Sequence, residues 1–298
     1  MTDKNRRYDI IFAGNYTKDT IVTPSEVREV DGGAVNYAAH AAVRLGLKTA
    51  VVTRLAGADR RVIERLEAAG VDCFPWYTPV STCLTLEYKS SNLDQRELSV
   101  KSTAGAIALE QFDGLSARCV VFGASLRGEV ELGLIQHLRQ RQGLRLAADV
   151  QGFVRVLRGE ALMYEPWQEM PAVLENLDIL KSDAVEAEYL TGEADIHRAA
   201  RVYAGLGARE IVLTHSAGVL IHADGRDFEY SFHPARVIGR SGRGDTCLGA
   251  YAALRLAMPP REAGKWAAAV TSLKLENLGP FDRSRAEVET FVQQFYAD

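Results

Sequence analysis

At 298 residues, with 47% hydrophobic and 25% charged residues, the chain has ordinary globular usage and enough apolar material for a large core. A formal net charge of -4 gives no electrostatic footprint for nucleic acid or for an anionic membrane, and no apolar run approaches the ~18 residues of a membrane span. The opening stretch from Met1 to Arg7 has no apolar signal core, and Cys73, Cys83, Cys119 and Cys247 form no CxxC pair, so the expectation is a reduced, cytoplasmic protein.

Tyr8 to Gly14 predicts a buried first strand, followed by Asn15-Tyr16-Thr17-Lys18-Asp19 at its carboxyl end, where open α/β sheets place ligand groups. Ile21 to Val30 is short and mixed and contains Pro24, which predicts small exposed strands. Asp31-Gly32-Gly33 then opens an alanine-rich helix running to Gly46, with Asn36 on its first turns. Lys48 to Gly57 predicts a second strand, and Asp59 to Ala69 a helix closed by Gly70. Val71 to Val100 divides into three strand-like pieces of alternating polarity, with a turn at Ser90-Ser91-Asn92. Such pieces are foreign to a βαβ chain. Residues 16–31 and 73–101 are therefore expected to form a small separate β-sheet, a lid.

Beyond residue 105 the rhythm becomes regular. Cys119 to Ser125, Arg145 to Val150, Asp178 to Lys181 and Glu210 to Thr214 are apolar strand candidates separated by helical patterns, which predicts a mostly parallel α/β sheet. Ala263, Trp266, Ala267, Val270 and Leu273 repeat at helical spacing, as do Val288, Phe291, Val292 and Phe295. No interdomain linker interrupts the sequence, so one domain over 1–298 is expected.

The chemistry concentrates in Gly239-Arg240-Ser241-Gly242-Arg243-Gly244-Asp245, a glycine-rich turn leading into an apolar helical run. Glycines there allow successive N–H groups to point at one spot, where the helix dipole adds positive potential and an anion is favoured. A carboxylate at the junction, Asp245, suits a general base for a hydroxyl that attacks a phosphoryl group. An ordinary loop followed by an acidic first turn has the same pattern. Other chemistries are absent: there is no GxxxxGK[ST] loop, no HExxH, no GxSxG, and Gly242-x-Gly244-x-x-Cys247 fails GxGxxG at its third position.

Two separated motifs make the chain resemble the PfkB carbohydrate kinases of the ribokinase superfamily. The amino-terminal signature is met by Gly32, Gly33, Asn36, Ala38, Ala39, Leu45 and Gly46, with Gly57 and Asp59 following; the carboxyl-terminal one aligns with Gly239 to Asp245. The resemblance implies a three-layer α/β/α ribokinase-like fold and an ATP- and magnesium-dependent kinase acting on a sugar, a cyclitol such as myo-inositol, or a related polyol. It makes Asp245 the base and the amides of Gly242, Arg243 and Gly244 an anion hole. It points to Asp183 and Glu186 for magnesium, with Asp183 standing where the family has asparagine. Asp19, Gly33 and Asn36 are implied as acceptor contacts, with Asp149 and Gln151 in a second tier. Thr214, His215 and Gly218 are implied on the nucleotide side, with Ala269, Ser272 and Leu273 walling the adenine.

Gly239-Arg240 and Arg243 depart from the family's Asp-Thr and alanine, which puts monovalent-cation activation in doubt. The Arg243 side chain either contacts phosphate or points into solvent. A nucleoside kinase of the same family and a non-catalytic sugar-binding regulator are the rival functions. A homodimer through the lid is expected, since exposed strands pair readily.

Overall fold

The computed structural model describes residues 6–89 and 97–297. In the first strand, β1 (Arg6–Ala13), Ile10 and Phe12 enter one core while Ile11 and Ala13 enter another. Burial on both faces explains why the strand reads as a continuous apolar run. The chain then leaves for β2 (Thr17–Val22) and β3 (Val27–Gly32), returns through α1 (Ala34–Arg44) to β4 (Thr49–Ala56), and passes α2 (Arg61–Ala68) into β5 (Asp72–Thr78). Next come β6 (Thr82–Glu87), β7 (Glu97–Ser102), β8 (Leu115–Phe122), α3 (Leu132–Arg139) and β9 (Arg145–Asp149). The short α4 (Gln151–Val154) precedes a hairpin of β10 (Arg155–Arg158) and β11 (Ala161–Tyr164), and α5 (Met170–Leu174) leads to β12 (Ile179–Asp183). Helices α6 (Ala184–Thr191) and α7 (Ile196–Gly205) are followed by β13 (Glu210–Thr214), β14 (Gly218–Ala223) and β15 (Arg226–Ser231). The chain finishes with α8 (Arg243–Leu254), α9 (Pro260–Leu275) and α10 (Arg285–Phe295).

The main sheet has nine strands in the order β15-β14-β13-β12-β9-β8-β1-β4-β5. It is parallel from β13 to β5, and β14 and β15 extend it as antiparallel edge strands. One core joins the sheet to α1, α8, α9 and α10 through Ala39, Leu248, Ala267 and Val288; the other joins it to α3, α5 and α7 through Leu138, Leu174 and Tyr203. The result is the expected three-layer α/β/α arrangement. A Cβ on Gly249 would stand 2.7 Å from that of Ala38, so small residues let α8 lie close against α1. That approach brings the loop before α8 alongside the glycines that open α1.

The second sheet has six strands in the order β10-β11-β7-β6-β2-β3 and closes on its own apolar cluster of Ile21, Leu84, Leu86, Tyr88 and Val100. Its composition corrects the expected lid of residues 16–31 and 73–101. Residues 72–78 pair in parallel with β4 and belong to the edge of the main sheet. Pro75 fits there because an edge strand has one side on which no N–H is needed. The hairpin β10–β11 joins the small sheet instead, Ala161 pairing with Ser99 of β7. The predicted turn at 90–92 lies outside the described residues. Among the described residues all four cysteines are free, and no helix is long and apolar enough to cross a membrane.

Candidate active site

Asp245 is the third residue of α8, whose preceding residue Gly242 adopts a left-handed φ of 72°. Glycine takes that conformation without a Cβ penalty, and the first-turn N–H groups have no intrahelical acceptor. The Arg243 N–H is turned to the Arg240 carbonyl at 3.2 Å, so it joins an anion hole only by sharing that bond. Burial is the main cause that pushes the Asp245 carboxyl up to about 6, with the charge of Asp149 adding to it; Lys181, Arg155 and Lys274 oppose the rise. At neutral pH the group is therefore largely ionised and basic enough to accept a hydroxyl proton.

Asp149, at the end of β9, lines the same small cavity as Asp245, together with Ala34 and Gly123. Its carboxylate accepts from Lys181 Nζ at 2.8 Å and from the Gln151 N–H at 3.1 Å. The Gln151 side chain donates to the Ala124 carbonyl at 3.4 Å. Both second-tier candidates are thus braced by the protein itself, Asp149 as the partner of a buried cation. Burial alone would lower the Lys181 ammonium, yet Asp149, Glu186 and Asp183 hold it above its usual range. Its Nζ stands 2.7 Å from the place a Cβ on Gly244 would occupy, so the glycine lets the lysine approach the loop backbone closely.

On the acceptor side, Gly32 has no room for a side chain, because its Cβ would fall 2.2 Å from Asp19 Oδ2. Gly33 caps α1 at a φ of 91°, with the Asn15 carbonyl 2.8 Å from its missing Cβ. Asn36 is buried and donates through Nδ2 to the Asp31 carbonyl at 3.1 Å. The predicted trio Asp19, Gly33 and Asn36 is accordingly brought together where the first half of β2 meets the end of β3 and the start of α1. Buried side-chain atoms without a partner gather nearby: Asn15 Oδ1, Thr17 Oγ1 and Glu129 Oε1. Burial pushes the Glu129 carboxyl up to about 7. Unsatisfied buried oxygens are rare in folded proteins and suit a ligand that brings hydroxyl donors.

Asp183 and Glu186 form a reciprocal cap at the start of α6: Asp183 Oδ1 accepts from the Glu186 N–H at 2.8 Å, and Glu186 Oε2 accepts from the Asp183 N–H at 3.1 Å. Glu186 Oε1 also meets Arg155 Nη2 at 3.2 Å, and burial pushes its carboxyl up to about 7. Glu186 is therefore braced, while Asp183 is only half-buried and spends one carboxylate oxygen on the cap. That donor set fits a hydrated magnesium ion held through one carboxylate and its waters.

Thr214 pairs with Asp183 in the β12–β13 register, and burial lowers the His215 imidazole, with Arg243 acting in the same direction. His215 thus stands within electrostatic reach of Arg243 in the loop, and Thr214 lies beside Asp183. Gly218 has a different reason for being glycine, since a Cβ would fall 2.3 Å from the Tyr230 carbonyl across the β14–β15 ladder. Ser272 is fully buried, donates to the Ala268 carbonyl at 2.7 Å and accepts the His233 N–H at 3.0 Å. The Tyr296 hydroxyl lies 3.4 Å from it, within an aromatic group of His233, Phe291, Phe295 and Tyr296.

Sequence reasoning missed Tyr37, Lys181, Arg155 and Lys274. Tyr37 adjoins both halves of the site: burial raises its hydroxyl, and Asp19 and Asp245 both act on it. A tyrosine and a lysine in helices and a lysine and an arginine in strands carry no motif, so no signal marked them.

A model of the pfkB family carbohydrate kinases matches residues 5–285. Among solved structures, a pyrophosphate-dependent kinase in the ribokinase family complexed with a pyrophosphate analog and myo-inositol is 34% identical, with a TM-score of 0.87 over 94% of this chain and 99% of the other. A sulfate complex of a pyrophosphate-dependent kinase in the ribokinase family is 35% identical, with the same TM-score of 0.87 over 94% of this chain and 99% of that one. A cytidine kinase of Thermococcus kodakarensis is 26% identical over 260 residues, covering 82% of this chain and 87% of its own. With the family model spanning nearly the whole chain and both family signatures meeting at one cleft, the protein belongs to the pfkB family of carbohydrate kinases.

Proposed function

We propose that the protein transfers a phosphoryl group from inorganic pyrophosphate to a hydroxyl of a cyclitol, myo-inositol or a close relative. The observation that carries the donor is the state of the expected adenine wall: Ala269 and Ser272 are both fully buried, and the Ser272 hydroxyl already serves Ala268 and His233. A base stacked there would have to displace the Tyr296 ring, whose hydroxyl donates to the Ser231 carbonyl at 2.7 Å. A donor made of phosphate alone needs no such room. Cations are instead plentiful, with Arg240 and Arg243 replacing neutral family residues in the loop and Lys181 set against Gly244. Relatives 34% and 35% identical that are pyrophosphate-dependent support the same donor.

In this reading Asp245 takes the acceptor proton as the new O–P bond forms, and the bridging P–O bond breaks to release orthophosphate. The Gly242 and Gly244 amides and the Lys181 ammonium stabilise charge on the transferring group. Asp183 and Glu186 would hold a magnesium ion, which neutralises phosphate charge when bound. Asp19 and Asn36 orient the acceptor through vicinal hydroxyls, two acceptor oxygens matching two O–H groups. ATP is the second reading, favoured by the family signatures. The small sheet also supports a homodimer, with Val27 68% and Met163 55% exposed on it.

A matrix of donors (pyrophosphate, ATP, ADP) against acceptors (myo-inositol, ribose, cytidine), each with magnesium and scored for phosphorylated product, tests this reading. Product from pyrophosphate and myo-inositol is the expected outcome. Product from ATP alone would overturn the donor, and product from cytidine alone the acceptor.

A further inference from the structure

Lys274 is fully buried in the last turn of α9, and its ammonium donates to the Gly239 carbonyl at 3.1 Å. It also lies 5.4 Å from the centroid of the Tyr37 ring, which in turn packs against Gly242. The start of the loop is laid on the same helix end, with the Ile238 and Gly239 N–H groups both donating to the Leu275 carbonyl, at 2.8 and 3.2 Å. A buried ammonium is costly to desolvate, and an aliphatic side chain would fill the position at lower cost.

The charged groups around Asp245 come from several elements: Asp149 on β9, Arg155 on β10, Lys181 on β12 and Lys274 on α9, with Tyr37 on α1. Two of the three cations are each matched by a carboxylate of their own, Lys181 by Asp149 at 2.8 Å and Arg155 by Glu186 at 3.2 Å. Lys274 differs. Among the described residues its hydrogen-bond acceptor is a neutral carbonyl, so its charge stays available to the Asp245 carboxylate.

We propose that Lys274 is a positioning residue for phosphoryl transfer: from beneath the loop it fixes the Gly239 carbonyl and adds an unmatched positive charge to those of Lys181 and Arg155 in keeping the buried Asp245 carboxylate ionised. The proposal rests on the reading of Asp245 as the base. Burial lowers the Lys274 ammonium to about 8, against the pull of Asp245, so the charge is present at neutral pH and lost on the alkaline side.

Lys274→Met keeps the volume and removes the charge, whereas Lys274→Arg keeps the charge. The Asp245 carboxyl is followed without any turnover, from the pH dependence of the melting-temperature difference between the parent and Asp245→Asn, measured with and without Lys274→Met. The expected result is a midpoint raised by about one pH unit or more in Lys274→Met and little changed in Lys274→Arg. On the productive donor, the acid limb of kcat should move with it, costing about tenfold on the acid side, with KM for the acceptor held within about twofold. Added methylammonium should restore part of the loss.

An unmoved midpoint overturns the proposal, as does a fall in kcat with the parent's pH profile and no amine rescue. Should Lys274→Met not fold, the parent decides: a decline of kcat centred near 8 supports the proposal, and a flat profile from about pH 7 to about pH 10 overturns it. Inactivity of the parent with every donor would sink the functional reading while leaving the melting-temperature test intact.

Discussion

The Tyr37 ring lies flat against the backbone of Gly242, so that a Cβ at residue 242 would fall 2.1 Å from Tyr37 Cγ. This contact couples the first helix, on whose opening turn Asn36 stands, to the loop that presents Asp245. Gly242→Ala combines that clash with a left-handed φ of 72°. We expect it to destabilise the protein by about 1–3 kcal/mol and to abolish turnover, as the loop moves off its N–H geometry. Calorimetry and a single turnover assay check this, and a fully active, equally stable Gly242→Ala would show the contact to be slack.

Asp245 sets a pH dependence whose sign follows from its raised pKa of about 6. For activity, the base must be ionised, so kcat should fall on the acid side with a midpoint near 6. For stability, a carboxyl raised in the fold contributes stability that is fully present below its ordinary value near ~4 and lost as pH rises through the folded one. At pH 8 the parent therefore carries a penalty of up to about 3 kcal/mol that Asp245→Asn lacks. That variant is expected to lose about 10³-fold or more in turnover while melting at a higher temperature than the parent. Near-normal turnover would refute the base assignment.

Arg243 is the residue that most distinguishes the loop. Its own N–H is engaged with the Arg240 carbonyl, which shifts the weight of the anion hole onto the neighbouring glycines and leaves the side chain as its distinctive contribution. If the guanidinium meets the transferring group, Arg243→Ala should lower kcat by about 10²-fold. If it meets the donor equally before and during transfer, KM for the donor should rise with kcat unchanged. We expect the first outcome. Unchanged values of both would make Arg243 a passenger.

The glycine loop and Asp245 were legible in the sequence because a left-handed residue, an anion nest and a helix start demand residue types that stand out. Gly33 and Asn36 were legible for the same reason. Lys181, Arg155 and Lys274 were not: a lysine or arginine in a sequence reads as solvent-facing, and only the fold matches each with a carboxylate, a carbonyl or a ring. The small sheet was legible in kind but not in membership. An edge strand of the main sheet and a strand of the lid alternate alike, so β5 was misassigned, while β10 and β11 are four residues each and too short to show any period.

If the small sheet closes over the acceptor, its amides should exchange more slowly when acceptor binds, most of all in β2 and β6, which pair in parallel and are both interior strands of it. Hydrogen-exchange mass spectrometry with and without myo-inositol measures this. Unaltered exchange throughout the sheet would mean that the site is shielded in another way. The homodimer is a separate matter, checked by light scattering at working concentration, and charged substitutions at Val27 and Met163 should weaken it if those exposed side chains form the contact.

The donor preference should itself be adjustable at the end of the last helix. Tyr296 is nearly buried, its ring standing 6.2 Å from that of Tyr230 at 76° and its hydroxyl bonded to the Ser231 carbonyl at 2.7 Å. Its hydroxyl stands 3.4 Å from that of Ser272, which in the ATP reading would wall an adenine. Tyr296→Ala removes the ring and leaves the loop, Asp245 and Lys181 untouched. Turnover with pyrophosphate should consequently stay within a few-fold of the parent, at the cost of about 3 kcal/mol of stability for a lost buried aromatic. If the base sits beside Ser272, turnover with ATP should rise, chiefly through a lower KM, because the ring no longer fills that space. Phe291 and Phe295 pack with His233 around Tyr296, so partial collapse of this cluster would blunt the gain, and a companion Phe295→Ala should enlarge it. A parent that already prefers ATP, or an opened variant with no change in either donor, would show that the aromatic cover has no part in choosing the donor.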